Sequence, residues 1–169
     1  MRRKRRSTKP GILVTLALLL LYSILEWTGT PNELAGYVVG VADGDTLTLL
    51  TPDRKRVRIR LAEIDAPEKA QPFGQRSKRA LSDICLNKQA RVTVRDIDRY
   101  GRSVGLVLCD GDKDANATMV SSGLAWVYAQ YSASSALRRL EDVARREKRG
   151  LWADHDPLPP WEWRKQRRQ

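Results

Sequence analysis

The chain has 169 residues, of which 41% are hydrophobic, and it carries a formal net charge of +11. Residues 1–10 hold six of the cations and residues 161–169 hold a net +3, so residues 11–160 have a net charge of only +2. This distribution excludes a domain that binds polyanions through a generally positive surface, and affinity for phosphate must come from a local cluster. The length and the hydrophobic content predict one compact domain with appendages.

The N-terminal segment has the pattern of a membrane-targeting sequence. Residues 1–10 are basic, and residues 11–27 contain no charged residue before Glu26. The apolar run has the length of a short transmembrane anchor, but it also fits the core of a cleaved signal peptide. In both cases the basic residues stay in the cytoplasm, and the domain is either membrane-anchored on the extracytoplasmic side or secreted. Residues 28–35 are predicted to form a polar linker.

Three strands are predicted after the linker. The segment YVVGVADGDTLTLL, residues 37–50, contains two β-rich runs separated by a tight turn at Gly44. In residues 56–61, Val57, Ile59 and Leu61 alternate with arginines, so one face of the third strand packs inward.

Helices and strands alternate less regularly in the second half. Helices are predicted over residues 75–86, 116–122 and 134–149, and strands over residues 90–97 and 103–109. This order, βββαββαα with short strands, predicts an α+β fold that is mainly β: a five-stranded barrel flanked by helices. An open α+β sheet fits the same pattern. The last segment, residues 153–169, is a tail with prolines, tryptophans and basic residues.

Carboxylates lie at the ends of neighbouring strands. Asp45 follows the tight turn before the second strand, and Asp65 follows the third strand. Two such carboxylates brought close together form a site for a hard divalent cation such as Ca²⁺ or Mg²⁺. Glu68, which follows a proline, could reach the same ion or a water bound to it. The alternative is that these residues and Asp43 only cap turns, as aspartates beside glycine and proline usually do.

Two arginines near these carboxylates indicate a reaction on a phosphate group. Arg60 leaves the third strand near the acids, and Arg102 lies in the turn DRYGR beside Arg99 and Tyr100. A guanidinium beside a metal stabilises the charge that develops on a phosphoryl group. Together these residues predict a phosphodiester-cleaving site, although an arginine in a turn is ordinarily a solvated surface residue. The lone histidine, His155, argues against a zinc site or a histidine-based triad.

The chain has two cysteines, Cys85 and Cys109. In an oxidising exterior the two thiols can pair in a disulfide, and their spacing matches no metal-binding pattern. The alternative is a pair of free thiols in the core.

Five segments, taken in order, resemble those of thermonuclease, or staphylococcal nuclease-like, domains: VADGDTL, RIRLAEIDAPE, FGQ, DRYGR and GLAWVY. The resemblance covers about residues 36–152. It implies an OB-fold barrel with three helices, preceded here by the hydrophobic N-terminal segment. It also implies Ca²⁺-dependent hydrolysis of DNA and RNA with little sequence preference, leaving 3′-phosphate ends.

The resemblance assigns roles to the residues that match its motifs. Asp45, Asp65 and the backbone carbonyl of Ala66 would bind the Ca²⁺. Glu68, reached through the metal's water, would orient or deprotonate the attacking water.

Further roles concern the substrate. Arg60 and Arg102 would hold the scissile phosphate and stabilise its transition state. Arg99, Tyr100 and Tyr131 would contact the nucleotide. Asp43 would be an acid just outside the metal's own ligands.

The chain departs from the family pattern at three positions. Ala66 stands where the best-known member has threonine. The ligand at this position is a backbone carbonyl, so metal binding should be retained. Ala129 falls near the place of a second nucleotide tyrosine, which affects substrate affinity more than chemistry. Glu63 replaces a glycine of many relatives, and it either adds a carboxylate near the ion or faces solvent.

The tryptophans are assigned mainly to packing. Trp126 and Trp152 are predicted to be core aromatics. Trp161 and Trp163 are predicted to pack back on the barrel, with the charges of the tail in solvent. The alternative is that the tail contacts nucleic acid or lipid headgroups.

The leading hypothesis is a membrane-tethered or exported Ca²⁺-dependent endonuclease that acts on DNA, RNA or both. The chain is expected to be a monomer, and no protein partner is predicted. One alternative is an OB-fold domain that binds single-stranded nucleic acid without cutting it, and another is a membrane-anchored interaction protein. The presence of every acid and arginine that the chemistry requires favours the enzyme.

Overall fold

The computed structural model describes residues 32–167. The segments predicted over residues 1–10 and 11–27 lie outside the described residues. Between residues 32 and 167, no helix combines the length and the apolar character that a membrane span requires.

The described chain contains the five predicted strands and the three predicted helices in the predicted order, and it adds three short strands, a fourth helix and a 3₁₀ turn. Its strands are β1 (Glu33–Val41), β2 (Thr46–Leu50), β3 (Arg56–Leu61), β4 (Ile64–Asp65), β5 (Gln89–Ile97), β6 (Ser103–Cys109), β7 (Lys113–Asp114) and β8 (Trp126–Val127). Its helices are α1 (Gly74–Cys85), α2 (Ala115–Ser121), α3 (Ser135–Arg146) and α4 (Pro160–Gln166), with a 3₁₀ turn at Gly150–Ala153. Strand β1 begins at Glu33, within the segment that was predicted to be a linker.

The five longer strands form a closed barrel. Strand β1 pairs antiparallel with β2 and β5, β2 pairs with β3, and β5 pairs with β6. A parallel pairing of β3 with β6, in which Arg60 lies opposite Val104, closes the sheet. This closure distinguishes the barrel from the open sheet that also fitted the sequence, and it agrees with an OB-like fold.

The barrel is filled by the inward-facing side chains of alternating strand positions. Those without exposed surface include Val38, Leu47, Leu49, Ile59, Leu61, Val92 and Val107. Leu81 of α1 and Met119 of α2 are also fully buried and belong to the same core. Burying each such side chain contributes about 1.5–3 kcal/mol, so the core holds the strand ends in fixed positions.

The three predicted helices are present, with boundaries that shift by up to three residues. Helix α1 begins at Gly74, where the chain packs tightly: a Cβ at this position would lie 1.9 Å from the carbonyl oxygen of Glu68. The N-terminus of α1 is therefore held against the loop that carries Glu68. Helix α3 is capped by Ser134, whose hydroxyl accepts a hydrogen bond from the Leu137 N–H at 3.2 Å.

A cluster of aromatic side chains, separate from the barrel core, holds the C-terminal segment. Trp126 packs edge-on against Trp152, with ring centroids 4.3 Å apart, and against Trp161 at 5.7 Å. Trp161 also stacks on Tyr128, with centroids 5.1 Å apart and an interplanar angle of 2°. Helix α4, which the sequence did not predict, begins with buried Pro160 in its first turn and is held on the domain by these contacts.

Candidate active site

Three short segments bring the acidic side chains to one end of the barrel. The β1–β2 turn carries Asp43 and Asp45, strand β4 ends at Asp65, and Glu68 lies on the loop that follows. The Leu61 N–H donates to the carbonyl oxygen of Asp45 at 2.8 Å, which fixes the turn against the end of β3. The acids are therefore positioned by strand register, as their places in the sequence indicated.

Gly44 allows the turn to approach the rest of the site. A Cβ at this position would lie 2.6 Å from the Cβ of Ser77 and 2.7 Å from the Cβ of Ala66. Carbon atoms do not approach this closely, so a larger residue would push the turn away from α1. The glycine thus places Asp43 and Asp45.

Arg60 lies between two buried aspartates. Its Nη1 is 2.7 Å from Asp45 Oδ2, and its Nη2 is 3.1 Å from Asp65 Oδ1. Asp45 is 5% exposed and Asp65 is 1% exposed. The Ala66 N–H also donates to Asp45 Oδ2, at 3.0 Å. Asp45, Arg60 and Asp65 therefore form one buried cluster.

A second arginine, which the sequence did not single out, joins Glu68 to this cluster. Arg164 of α4 donates from Nη2 to Asp65 Oδ2 and from Nη1 to Glu68 Oε1, both at 2.7 Å. The prediction that the charges of the tail face solvent is wrong for this residue, because the aromatic cluster turns α4 towards the acids. No local pattern relates Arg164 to Asp65, which precedes it by 99 positions.

Burial and the neighbouring charges shift the pKa values of the carboxyl groups at the site. Burial raises the pKa of Asp43 to about 6, and the neighbouring Asp45 adds to this shift. Burial also disfavours the ionised form of Asp45, but Arg60 and the hydrogen bonds to its oxygens lower its pKa below the ordinary value. Burial raises the pKa of Asp65, and the hydrogen bonds from Arg164 oppose this rise. Asp43 Oδ1 accepts a hydrogen bond from the backbone N–H of Asp45 at 3.1 Å, so it lies beside the buried cluster.

The turn between β5 and β6 brings Arg102 to the same end of the barrel. Asp98 accepts from Arg102 Nε at 2.7 Å and from the backbone N–H of Arg102 at 3.0 Å. Arg102 Nη1 lies 3.4 Å from the hydroxyl oxygen of Thr46, which donates to Asp45 Oδ1 at 2.9 Å. Arg102 is therefore held close to the acids by Asp98, a residue of the same motif to which the sequence assigned no role.

The cluster opens into a cleft of about 800 Å³. Arg99, Tyr100 and Tyr131 line this cleft, and the two tyrosines are 64% and 65% exposed. The Arg99 guanidinium lies 4.9 Å from the centroid of the Tyr100 ring. Exposed aromatic rings next to arginines suit the bases and phosphates of a single-stranded nucleic acid.

Glu63, which the sequence left without a role, points towards the loop before α3. Its Oε2 accepts a hydrogen bond from the Ser132 hydroxyl at 2.9 Å, and its carbonyl oxygen accepts from the Tyr128 N–H at 2.9 Å. The residue has a φ of 65°, a conformation that glycine adopts more readily. Glu63 therefore holds the loop that carries Tyr131, and it also lines the cleft into which the acids open.

The donor atoms of the cluster fit a hard cation. Asp45, Asp65 and Glu68 offer only oxygen atoms, which Ca²⁺ and Mg²⁺ prefer. Within residues 32–167, however, no three acidic, histidine or cysteine side chains are grouped closely enough to hold a metal ion as they stand. Arg60 and Arg164 now bind the oxygens that such an ion would use.

Cys85 and Cys109 form a disulfide that joins the end of α1 to the end of β6. The two positions are separated by 24 residues along the sequence, and the enclosed segment contains β5. A cross-link around a loop of this size stabilises a fold by about 3 kcal/mol, mainly by restricting the unfolded chain.

Comparisons with known proteins find relatives along most of the chain. A family model described as staphylococcal nuclease homologue matches residues 58–154. An uncharacterized endonuclease of Escherichia coli O157:H7 is 44% identical over 145 residues, covering 86% of this chain and 94% of that protein. An uncharacterized endonuclease of Haemophilus influenzae is 42% identical over 155 residues, covering 92% and 85%. A micrococcal nuclease of Shigella flexneri is 37% identical over 162 residues, covering 90% of each chain.

Proposed function

The chain belongs to the staphylococcal nuclease homologue family, and we propose that it is a Ca²⁺-dependent endonuclease that hydrolyses DNA and RNA to products with 3′-phosphate ends. The observation that carries the proposal is the cluster of Arg60 with Asp45 and Asp65, which opens into a cleft also lined by Arg102. The cluster combines phosphate-binding cations with buried carboxylates at one position. These are the groups that metal-assisted phosphodiester hydrolysis requires.

Each residue of the cluster has a chemical task in this proposal. Asp45, Asp65 and the carbonyl oxygen of Ala66 would hold the Ca²⁺, which when bound neutralises charge on the phosphate. Arg60 and Arg102 bind phosphate oxygens and stabilise the charge that accumulates on them in the transition state. Glu68 accepts a proton from the attacking water as its general base.

The cleft supports cleavage with little sequence preference. Its arginines can bind phosphates, which are the same at every nucleotide. The exposed rings of Tyr100 and Tyr131 can stack on any base, because every base has a π-face. Asp43 would act as an outer carboxylate that adjusts the charge around the metal ligands.

We further propose that the enzyme works outside the cytoplasm, as a membrane-anchored or secreted monomer. Residues 11–27 support export, and the disulfide between Cys85 and Cys109 suits an oxidising compartment. Sequencing the N-terminus of the mature protein would distinguish a retained anchor from a cleaved signal peptide.

The proposal is tested by digesting labelled single-stranded DNA, double-stranded DNA and RNA with the full-length chain in Ca²⁺, in Mg²⁺ and in EDTA. We expect cleavage in Ca²⁺, 3′-phosphate ends on the products, and no cleavage in EDTA. Glu68→Gln and Arg60→Ala should each lose about 2–3 kcal/mol of transition-state stabilisation or more. Cleavage that continues in EDTA contradicts the metal requirement, and binding without products supports the alternative of a non-catalytic OB-fold domain.

A further inference from the structure

Arg164 binds two of the carboxylates that were assigned to the metal site. Its guanidinium reaches Asp65 Oδ2 and Glu68 Oε1 at 2.7 Å each, and Asp65 Oδ1 at 3.2 Å. Asp65 is 1% exposed, so these hydrogen bonds satisfy a carboxylate that has almost no access to water. Arg164 therefore supplies a positive charge that stabilises these carboxylates.

The position of Arg164 depends on how α4 is attached. Trp161 stacks on Tyr128, and the Gln71 side chain donates to the carbonyl oxygen of Leu158 at 2.7 Å. These contacts place the beginning of α4 on the domain. The Arg164 side chain itself is 33% exposed, so its long stem can move into the cleft while the helix stays in place.

The charges make Arg164 and a divalent cation alternatives at these oxygens. Asp45, Asp65 and Glu68 carry three formal negative charges, which Arg60 and Arg164 reduce to one. A divalent cation added to this arrangement would face two guanidinium groups at short range in a poorly solvated site, where like charges repel strongly. Arg60 extends from a strand of the barrel and its side chain is 17% exposed, against 33% for Arg164, so Arg164 is the group that can leave.

We propose that Arg164 is a built-in competitor of the metal, which holds Asp65 and Glu68 in the metal-free state and lowers the affinity of the site for divalent cations. This inference deepens the proposed function and rests on it, because it assumes that Asp65 binds a metal and that Glu68 acts through water bound to that metal. Binding of the cation releases the guanidinium into the cleft. Arg164 thus sets the cation concentration at which the site fills.

The test measures Ca²⁺ binding without any substrate. Calorimetric titration of the full-length chain with CaCl₂ is compared for the wild type, Arg164→Gln and Lys165→Gln. Lys165 is the matched control, because it is the next residue of α4, carries the same charge and is exposed, and it forms no ion pair within the described residues. We expect Arg164→Gln to bind Ca²⁺ about tenfold more tightly or better, because a close competing charge is removed, and Lys165→Gln to match the wild type.

Thermal unfolding provides a second readout that is also independent of activity. Without Ca²⁺, Arg164→Gln should unfold at a lower temperature than the wild type, because Asp65 loses its partner, and saturating Ca²⁺ should remove this difference. Arg164→Lys, which keeps the charge but not the forked geometry, should fall between the two in both measurements.

The possible outcomes separate this inference from the proposed function. Equal affinity of the wild type and Arg164→Gln, weaker binding by Arg164→Gln, or an equal change in Lys165→Gln would overturn the role of Arg164 and leave the metal-dependent nuclease intact. Absence of Ca²⁺ binding in all of the variants would overturn both.

Discussion

Two arginines approach Asp65 from different parts of the molecule, and they are positioned by different means. Arg60 belongs to β3, where pairing with β2 and β6 places it between Asp45 and Asp65. Arg164 belongs to a seven-residue helix that depends on aromatic contacts for its position. The barrel side of the site is thus built into the sheet, whereas the tail side is attached to it. A charge attached in this way can be displaced without opening the core.

Removing the disulfide should lower the stability of the whole domain without changing the barrel side of the site. Replacing Cys85 and Cys109 by serine, or reducing their disulfide, should lower the free energy of unfolding by about 3 kcal/mol, because the unfolded chain gains freedom. Chemical denaturation followed by circular dichroism measures the change. Both arginine contacts should survive in the folded fraction, so the Ca²⁺ affinity of this variant, measured under native conditions, should equal that of the wild type. A large change in affinity would mean that the barrel does not hold its side of the site independently.

The forked geometry of Arg60 should matter more than its charge alone. Arg60→Lys keeps the charge but cannot bridge two groups in the same way, and we expect a loss of about 2–3 kcal/mol in transition-state stabilisation. The value of kcat/KM on a single-stranded oligonucleotide in Ca²⁺ measures this loss. Arg58→Lys is the matched control, because Arg58 is exposed on the same strand. Similar losses in the two variants would contradict the assignment of Arg60.

Detaching the tail should reproduce the effect of removing Arg164. Trp161→Ala removes the ring that stacks on Tyr128, and it should reduce the free energy of unfolding by about 1–2 kcal/mol. It should also increase Ca²⁺ affinity in the same direction as Arg164→Gln, because α4 no longer holds the guanidinium at the acids. Calorimetry and denaturation measure the two effects. Trp161→Phe, which keeps an aromatic ring, should change both much less, and an unchanged Ca²⁺ affinity in Trp161→Ala would separate the docking of α4 from the metal site.

The smallest expected effect concerns the positioning of Arg102 on the barrel side. Asp98→Asn keeps an acceptor oxygen but loses the charge that fixes Arg102 Nε. We expect kcat/KM to fall about fivefold, which corresponds to a loss of about 1 kcal/mol in transition-state stabilisation. Asp112→Asn makes the same chemical change at an exposed turn outside the cleft and should have no effect. Equal activities of the two variants would show that Arg102 needs no support from Asp98.

Local sequence patterns were sufficient for most of the barrel. Alternation in β3 placed Ile59 and Leu61 in the core and Arg60 outside it, and this agrees with the closed barrel of the structure. The helix boundaries were predicted from caps and glycines, and they lie within three residues of the observed ones. These features are local because each depends on residues within one or two turns of the chain.

The remaining features depend on contacts between residues that are distant in sequence. Nothing near Arg164 indicates that it binds Asp65, because the contact requires α4 to dock on Trp126 and Tyr128. Glu63 could not be placed for the same reason, since its partner Ser132 lies 69 positions away. The motifs therefore indicated the chemical groups on the barrel side, and only the structure located those contributed by the tail.

The parallel contact between β3 and β6 has a consequence for folding kinetics. Ile59 and Ser103 are far apart in the sequence, and contacts of this kind form slowly because closing a long loop costs conformational entropy. Before the two strands pair, Arg60 lies on one edge strand of the open sheet and Arg102 lies beside the opposite edge strand. A partly folded chain can therefore contain helices and hairpins while its two arginines are still too far apart to bind one phosphate. Nuclease activity during refolding is expected to appear with closure of the barrel, later than secondary structure.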